Sequence, residues 1–132
     1  MDLKFSEQDE AYRKKLLDWL ASSGELISRT MQGTDDSGER NPMQAMRDWQ
    51  KHLYEAGYVG MSWPKIYGGY EASLTEQVIA NEELARAKIP PSLNTVGLTI
   101  VAPTMIQHGS EEQKQKYLTR ILRAEDIWCQ GF

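Results

Sequence analysis

The residues whose types could do chemistry are two histidines, one cysteine, two adjacent-glutamate pairs and one glycine pair. His52 and His108 fall on separate predicted helices, and neither has a second histidine or cysteine at ligand spacing, so no metal centre is expected. Glu82-Glu83 and Glu111-Glu112 are paired only in sequence. Neighbours on a helix point about 100° apart, whereas a general acid and base must converge across a cleft. Glu82, close to Val78, Ile79 and Ala85, is the one carboxylate expected to be partly buried, bonded to a neighbouring helix or to the Trp63-Pro64 loop. Gly68-Gly69 could suggest a phosphate cradle. Cradles of that kind feed a helix N-terminus directly and are followed by Lys or Ser/Thr in fixed register. Here Tyr70, Glu71 and Ala72 intervene before Ser73, so a tight turn is the better reading. No serine sits in a Gly-x-Ser-x-Gly elbow. Cys129 has no base nearby and is expected to be buried and inert. The chain shows no catalytic constellation of its own.

Helix signals dominate the elements that would position these groups. Ser6 with Asp9 is a plausible cap, after which Tyr12, Leu16, Trp19 and Leu20 share a helical face. Gly24 interrupts or ends that helix. Residues 32 to 41 are polar, rich in turn formers, and read as a mobile loop. Asn41-Pro42 opens a second helix with the stripe Met46, Trp49, Leu53 and Ala56, and Gly57 stands where a C-terminal cap is wanted. Ser73 to Glu76 is a capping box for a third helix, stopped by Pro90-Pro91. A fourth helix, from near Asn94, carries Val96, Leu98, Ile100, Val101, Met105 and Ile106. Being apolar nearly all round, it is expected to be the central and most buried helix, kinked at Pro103. Ser110 to Gln113 is another capping box, for a fifth helix with Tyr117, Leu118 and Ile121. Residues 127 to 132, with Ile127, Trp128 and Phe132, turn strand-like in composition. The expected fold is all-α, about five helices over 1–126, ending in the start of a β-strand over 127–132.

At 132 residues, one domain's worth of chain can bury roughly two-thirds of its unfolded surface. A composition 40% hydrophobic and 26% charged is ordinary for a soluble globular protein. Fifteen basic against 19 acidic residues give a net charge of −4, which argues against nucleic-acid binding. Lys114, Lys116, Arg120 and Arg123 are diluted by Glu111, Glu112, Glu125 and Asp126, as on a solvated helix face. A single cysteine excludes an intrachain disulfide and suits a reducing cytoplasm. The first ten residues are too polar for a signal peptide, and no apolar run approaches the roughly 20 residues of a membrane span.

The stretch from Gly57 to Ala87 is the most distinctive, joining a Trp63-Pro64 corner to a Gly68-Gly69 turn and a capped helix. It resembles the N-terminal helical domain of the acyl-CoA dehydrogenases, where a Trp-Pro-x-x-Tyr-Gly-Gly loop links two helices. Phe5-Ser6-Glu7 with Glu10, Glu82 through Ala87, Pro103, His108 through Lys114, and Tyr117-Leu118 follow in the family's order. No one of these suffices, but the ordered set is specific. The family continues from here into Ser-Glu-Pro-x-x-Gly-Ser-Asp, so the expectation is a chain cut at a domain boundary.

The resemblance implies part of an FAD-dependent enzyme that converts acyl-CoA to trans-2-enoyl-CoA. In that family a glutamate from the C-terminal domain removes the α-proton, hydride passes to the flavin, and electrons usually leave to an electron-transfer flavoprotein. By similarity, Thr95, Val96 and Thr99 would wall the acyl pocket, and Gln130, Gly131 and Phe132 would run past the flavin ring. Helical spacing is compatible, since 95 and 99 lie one turn apart with 96 beside them; plain core packing is the alternative. The isolated chain is expected to be inactive, and the whole enzyme a homo- or hetero-oligomer. Acyl-CoA oxidases and flavin-dependent hydroxylases or nitroalkane oxidases share parts of this domain. A non-catalytic helical interaction module is the alternative from another class. Against it, the fourth helix would then present an exposed apolar patch.

Overall fold

A computed structural model of the chain describes residues 4–132; the first three residues of the expected 1–126 unit lie outside them. Six α-helices follow in order: α1 (Glu7–Ser22), α2 (Gly24–Gln32), α3 (Pro42–Glu55), α4 (Leu74–Arg86), α5 (Ala102–His108) and α6 (Glu111–Leu122). A 3₁₀ turn at Lys65–Tyr67 and a π turn at Gly97–Val101 complete the list. The all-α expectation stands, with six helices in place of about five because the first one breaks at Ser23, whose hydroxyl donates to the Trp19 carbonyl at 2.8 Å.

The starts are where side-chain chemistry dictates. Ser6 with Asp9, Ser73 with Glu76 and Ser110 with Gln113 all form reciprocal capping boxes. Asn41 caps α3, with Pro42 in its first turn. The end of α3 is a Schellman motif. Tyr58 N–H reaches the Leu53 carbonyl and Gly57 N–H the Tyr54 carbonyl, both at 2.9 Å, while Gly57 takes φ +93°.

α3 is the central helix. Trp49 and Gln50 are fully buried on it, and Leu16, Ala80, Leu118, Ile121 and Leu122 join Trp49 in one core cluster from α1, α4 and α6. The Trp49 indole donates to the Pro90 carbonyl at 2.7 Å and anchors the chain after α4.

Two expectations about the predicted fourth helix are corrected. The predicted fourth helix is not the most buried one: Gly97 and Ala102 are enclosed, but Thr95, Thr99, Ile100, Pro103 and Thr104 are exposed. Its residues are apolar on most sides, yet the described residues leave the side carrying Thr95, Thr99, Ile100, Pro103 and Thr104 open. Nor does Pro103 simply kink a continuous α-helix. The turn before it is widened, with Ala102 N–H bonded to the Gly97 carbonyl, and Pro103 occupies the first turn of α5, where a missing N–H costs little. Residues 127–132 are extended and pair with no strand among the described residues, which leaves the expected start of a β-strand without confirmation. A strand needs a ladder partner for its backbone groups, and composition cannot supply one.

Candidate acyl-pocket wall and flavin-side segment

The candidate wall follows a buried amide pair, Gln50 on α3 and Asn94 in the turn before the π segment. Gln50 and Asn94 are both fully buried. Gln50 Oε1 accepts the Asn94 backbone N–H at 2.8 Å, and Gln50 Nε2 donates to the carbonyls of Ile121 and Leu122, each at 3.0 Å. Asn94 Nδ2 donates to the carbonyls of Ile121 (3.1 Å) and Asp126 (2.8 Å), and Asn94 Oδ1 accepts from Trp128 N–H at 3.0 Å. Ile121 and Leu122 close α6, where a helix leaves carbonyls without intrahelical partners. The two amides therefore cap α6 from the side and tie the outgoing segment to the same point. Arg47 adds its guanidinium to the carbonyls of Ala124 and Glu125.

Directly after Asn94 come the candidate wall residues. Thr95 and Thr99 are exposed and one turn apart, as their spacing predicts, with Val96 half-buried beside them. The Thr99 hydroxyl donates to the Thr95 carbonyl at 2.7 Å, that of Thr95 to Ser92 at 3.1 Å, and that of Thr104 to Ile100 at 2.8 Å. Each hydroxyl proton is thus spent on the backbone. The face continues into an open, apolar groove of about 430 Å³ lined by Ile100, Val101, Thr104, Met105, His108 and Gln113.

Gln130, Gly131 and Phe132 form the other half. They are extended and exposed, with no backbone or side-chain hydrogen bond to the rest of the described chain, and nothing lies within 4 Å of a side chain built on Gly131. Trp128 anchors the segment. Its ring meets Tyr117 edge-on at 5.6 Å, and its buried indole N–H has no partner among the described residues. Cys129, expected to be buried, is exposed because nothing packs on this stretch.

The other candidates resolve as structure. Glu83, not Glu82, is the buried carboxylate, its side chain 7% exposed against 40% for Glu82. The reason is register: Glu83 faces α1, where the Arg13 guanidinium binds both glutamates, and Arg86 binds the same two from their own helix. The adjacent carboxylates do converge, but on arginines. That is charge pairing between helices, which fits the expected bond to a neighbouring helix while reassigning the residue. Gly68-Gly69 is a tight turn. Gly68 has φ +89°, and a Cβ on Gly69 would lie 2.1 Å from the Trp63 carbonyl oxygen, so the loop folds back on itself with no room for a side chain or a ligand.

His52 stacks on Trp19 at 5.0 Å and meets Ser23 Oγ at 2.8 Å. Since that hydroxyl donates to the Trp19 carbonyl, His52 Nε2 must carry the proton it shares, which assigns the tautomer from the network. Burial pushes the imidazole below its ordinary value, with Glu55 opposing. His108 is exposed in the last turn of α5. No group of three or more potential metal-ligating side chains occurs among the described residues, and no helix there is long and apolar enough to cross a membrane.

Sequence reasoning missed Gln50, Asn94 and Arg13. Gln50 left one trace, a glutamine wedged between Trp49 and Leu53 in an apolar stripe; Asn94 left none, because its partners lie far along the chain.

The arrangement has known counterparts. The model of the acyl-CoA dehydrogenase N-terminal domain matches residues 6–125. The acyl-CoA dehydrogenase IpdE1 of Mycolicibacterium smegmatis is 32% identical over 124 residues, covering 93% of this chain and 32% of that protein. Among solved structures, the Tcur3481-Tcur3483 steroid ACAD superposes with a TM-score of 0.72 at 31% identity, covering 96% of this chain and 32% of the other. The ChsE4-ChsE5 complex from Mycobacterium tuberculosis gives 0.70 at 27% identity, over 95% and 30%. The chain spans about a third of the length of the relatives it matches. On a family match over 6–125, the chain belongs to the acyl-CoA dehydrogenases, as their N-terminal domain.

Proposed function

We propose that this chain is the pocket-wall domain of an FAD-dependent acyl-CoA dehydrogenase that introduces an α,β double bond into an acyl-CoA. The observation that carries the reading is the open face running from Thr95 to Met105, tied through Asn94 and Trp128 to the chain leading into Gln130–Phe132, in a chain of this family. Thr95, Val96 and Thr99 hold the acyl chain. Their hydroxyl protons are occupied by the backbone where a hydroxyl exists, so their outward surface is largely methyl, suited to hydrocarbon.

Gln130, Gly131 and Phe132 fit a flavin. Free backbone N–H and C=O groups and a side-chain amide match the polar edge of an isoalloxazine, and an exposed aromatic ring matches its face. When bound, FAD supplies the acceptor for the hydride that leaves the β-carbon. The carboxylate that takes the α-proton is supplied from outside this chain, as are most contacts to the cofactor. The reading carries with it an oligomeric enzyme, an electron-transfer flavoprotein as acceptor and a cytoplasmic location.

The solved relative described as a steroid ACAD suggests a substrate class: a CoA ester with a broad, steroid-type acyl group. Thr95, Thr99 and Thr104 are short side chains on the exposed face, which favours a wide acyl group over a narrow one.

The test is titration of the chain, and of the complete product of its gene, with FAD and then with straight-chain and steroid-type CoA esters. Yellow protein whose flavin is bleached by a CoA ester, beside a colourless inert chain, is the expected result. Peroxide formed without a dye acceptor would move the reading to an acyl-CoA oxidase. A complete product that binds no flavin would overturn it and leave a helical interaction module.

A further inference from the structure

We propose that Asn94, braced by Gln50, is a positioning residue that locks the acyl-pocket wall to the flavin-side segment as one rigid unit. The inference rests on the proposed function for what the two parts do, but the lock itself stands on geometry.

Asn94 is fully buried and uses its backbone N–H, both side-chain amide protons and its side-chain oxygen. No flip of the amide is compatible with this set. Ile121 and Asp126 offer only carbonyl oxygens, so Nδ2 must face them; Trp128 offers only an N–H, so Oδ1 must face it. Gln50 is determined in the same way, because its Nε2 meets two carbonyls and its Oε1 meets an N–H. Neither amide can rotate without losing several bonds at a site closed to water.

The lock is also sterically closed. A Cβ on Gly97 would fall 2.4 Å from Asn94 Oδ1, so the π turn can approach Asn94 this closely only with glycine there.

What makes Asn94 more than a core residue is its place between two otherwise loosely held parts. Thr95 is its immediate neighbour in sequence, and Thr99 follows one turn later on an exposed face. Trp128, which it holds by the backbone, lies two residues before Gln130. Ile127 and Cys129 on either side of Trp128 are exposed. The segment's other ties to the helices lie at Trp128 and just before it: Trp128 meets Tyr117, Arg120 binds the Asp126 carboxylate and accepts its N–H, and Arg47 holds the carbonyls of Ala124 and Glu125. A shift at Asn94 therefore moves wall and segment relative to one another. That relation sets where the β-carbon of a bound acyl chain sits against the flavin.

The experiment compares Asn94→Ala with the natural protein, using the complete, flavin-loaded gene product, and reads two quantities. The first is hydrogen exchange at the Trp128 amide. The second is turnover with a CoA ester the natural protein oxidises, resolved into kcat and KM. The proposal expects Trp128 exchange at least about tenfold faster, because its acceptor is gone. It expects kcat lower by about ten- to a hundredfold, the scale of an ångström-sized misplacement of reacting groups. KM should change much less. Leu16→Ala, which opens a cavity on α1 away from the lock, serves as the control at a temperature where both variants stay folded. It should slow turnover less than about twofold, since cavity creation acts on stability and not on this geometry.

Unchanged exchange at Trp128 overturns the lock, and kcat within twofold of the natural protein overturns its role in positioning. If Asn94→Ala does not fold, Asn94→Val, which fills more of the site and likewise offers Trp128 no acceptor, takes its place with the same readouts and the same expectations. If the natural protein binds no flavin, the proposed function fails on its own account, and Trp128 exchange alone still decides whether the lock exists.

Discussion

Replacing Gln50 by leucine tests whether the centre of this domain is specified by polar groups or only by packing. The two side chains are similar in volume, so the change leaves shape nearly constant in a fully buried site. It removes three hydrogen bonds, to the Asn94 N–H and to the carbonyls of Ile121 and Leu122. Ile121 keeps two donors, Asn94 Nδ2 at 3.1 Å and the Ala124 N–H at 3.2 Å. The groups left without a partner are therefore the Asn94 N–H and the Leu122 carbonyl. Each stranded buried group costs about 1–3 kcal/mol, and the added apolar contact returns about 1–2 kcal/mol. The expected loss is about 2–3 kcal/mol, a large share of the roughly 5–15 kcal/mol typical of a whole domain. For a domain of this size the melting temperature should fall by about 10 °C. Urea unfolding followed by tryptophan fluorescence measures it, with an unchanged slope as the check that compactness is unaltered. Gln50→Leu as stable as the natural protein, or more so, would refute the reasoning and make the amide pair dispensable to the fold.

Other perturbations separate the remaining parts of the account. Gly69→Ala should destabilise strongly, by about 2 kcal/mol or more, because the clash is with the Trp63 carbonyl and backbone cannot swing aside; a melting curve like the natural one would contradict the turn geometry. Stability should fall as pH drops below about 6.5 and level off below the folded-state value of His52, because burial lowers that value and the unfolded chain then binds the proton more readily. The effect should vanish in His52→Gln between pH 7 and 5, and a pH dependence that persists unchanged would assign it to other groups. At the α1–α4 contact, Arg13→Met and Glu83→Leu should each destabilise, and the double replacement should lose less than the two singles summed, since each single leaves its partner with fewer counter-charges, Glu83 with Arg86 and Arg13 with Glu82 and Glu10. Additive losses in that cycle would mean the two side chains do not interact.

Much of the fold is legible along the chain because its signals are local. A serine three residues before a glutamate, aspartate or glutamine satisfies orphan donors of the same turn, so the starts of α1, α4 and α6 read correctly. Gly57 at the end of α3 and the Gly68-Gly69 turn depend on backbone conformations that neighbouring residues fix between them. Burial was less legible. The apolar run from Val96 to Ile106 reads as a buried helix by periodicity, yet one side of it faces no element of this chain. Glu82 and Glu83 are equivalent by composition, and only the direction of α1 decides which of them Arg13 encloses.

Legible along the chain alone are the all-α class, the helix starts, the turn residues and the resemblance to the family. Each of these is written in residues a few positions apart, or in motifs whose order survives without coordinates. Only the tertiary structure decided that α3 is the centre and that a π turn absorbs Pro103. It also decided that Gln50, Asn94 and Trp128 meet. Those outcomes depend on bonds between residues 27 to 44 positions apart or more, and a hydrogen bond at that range exists only once packing has closed water out around it.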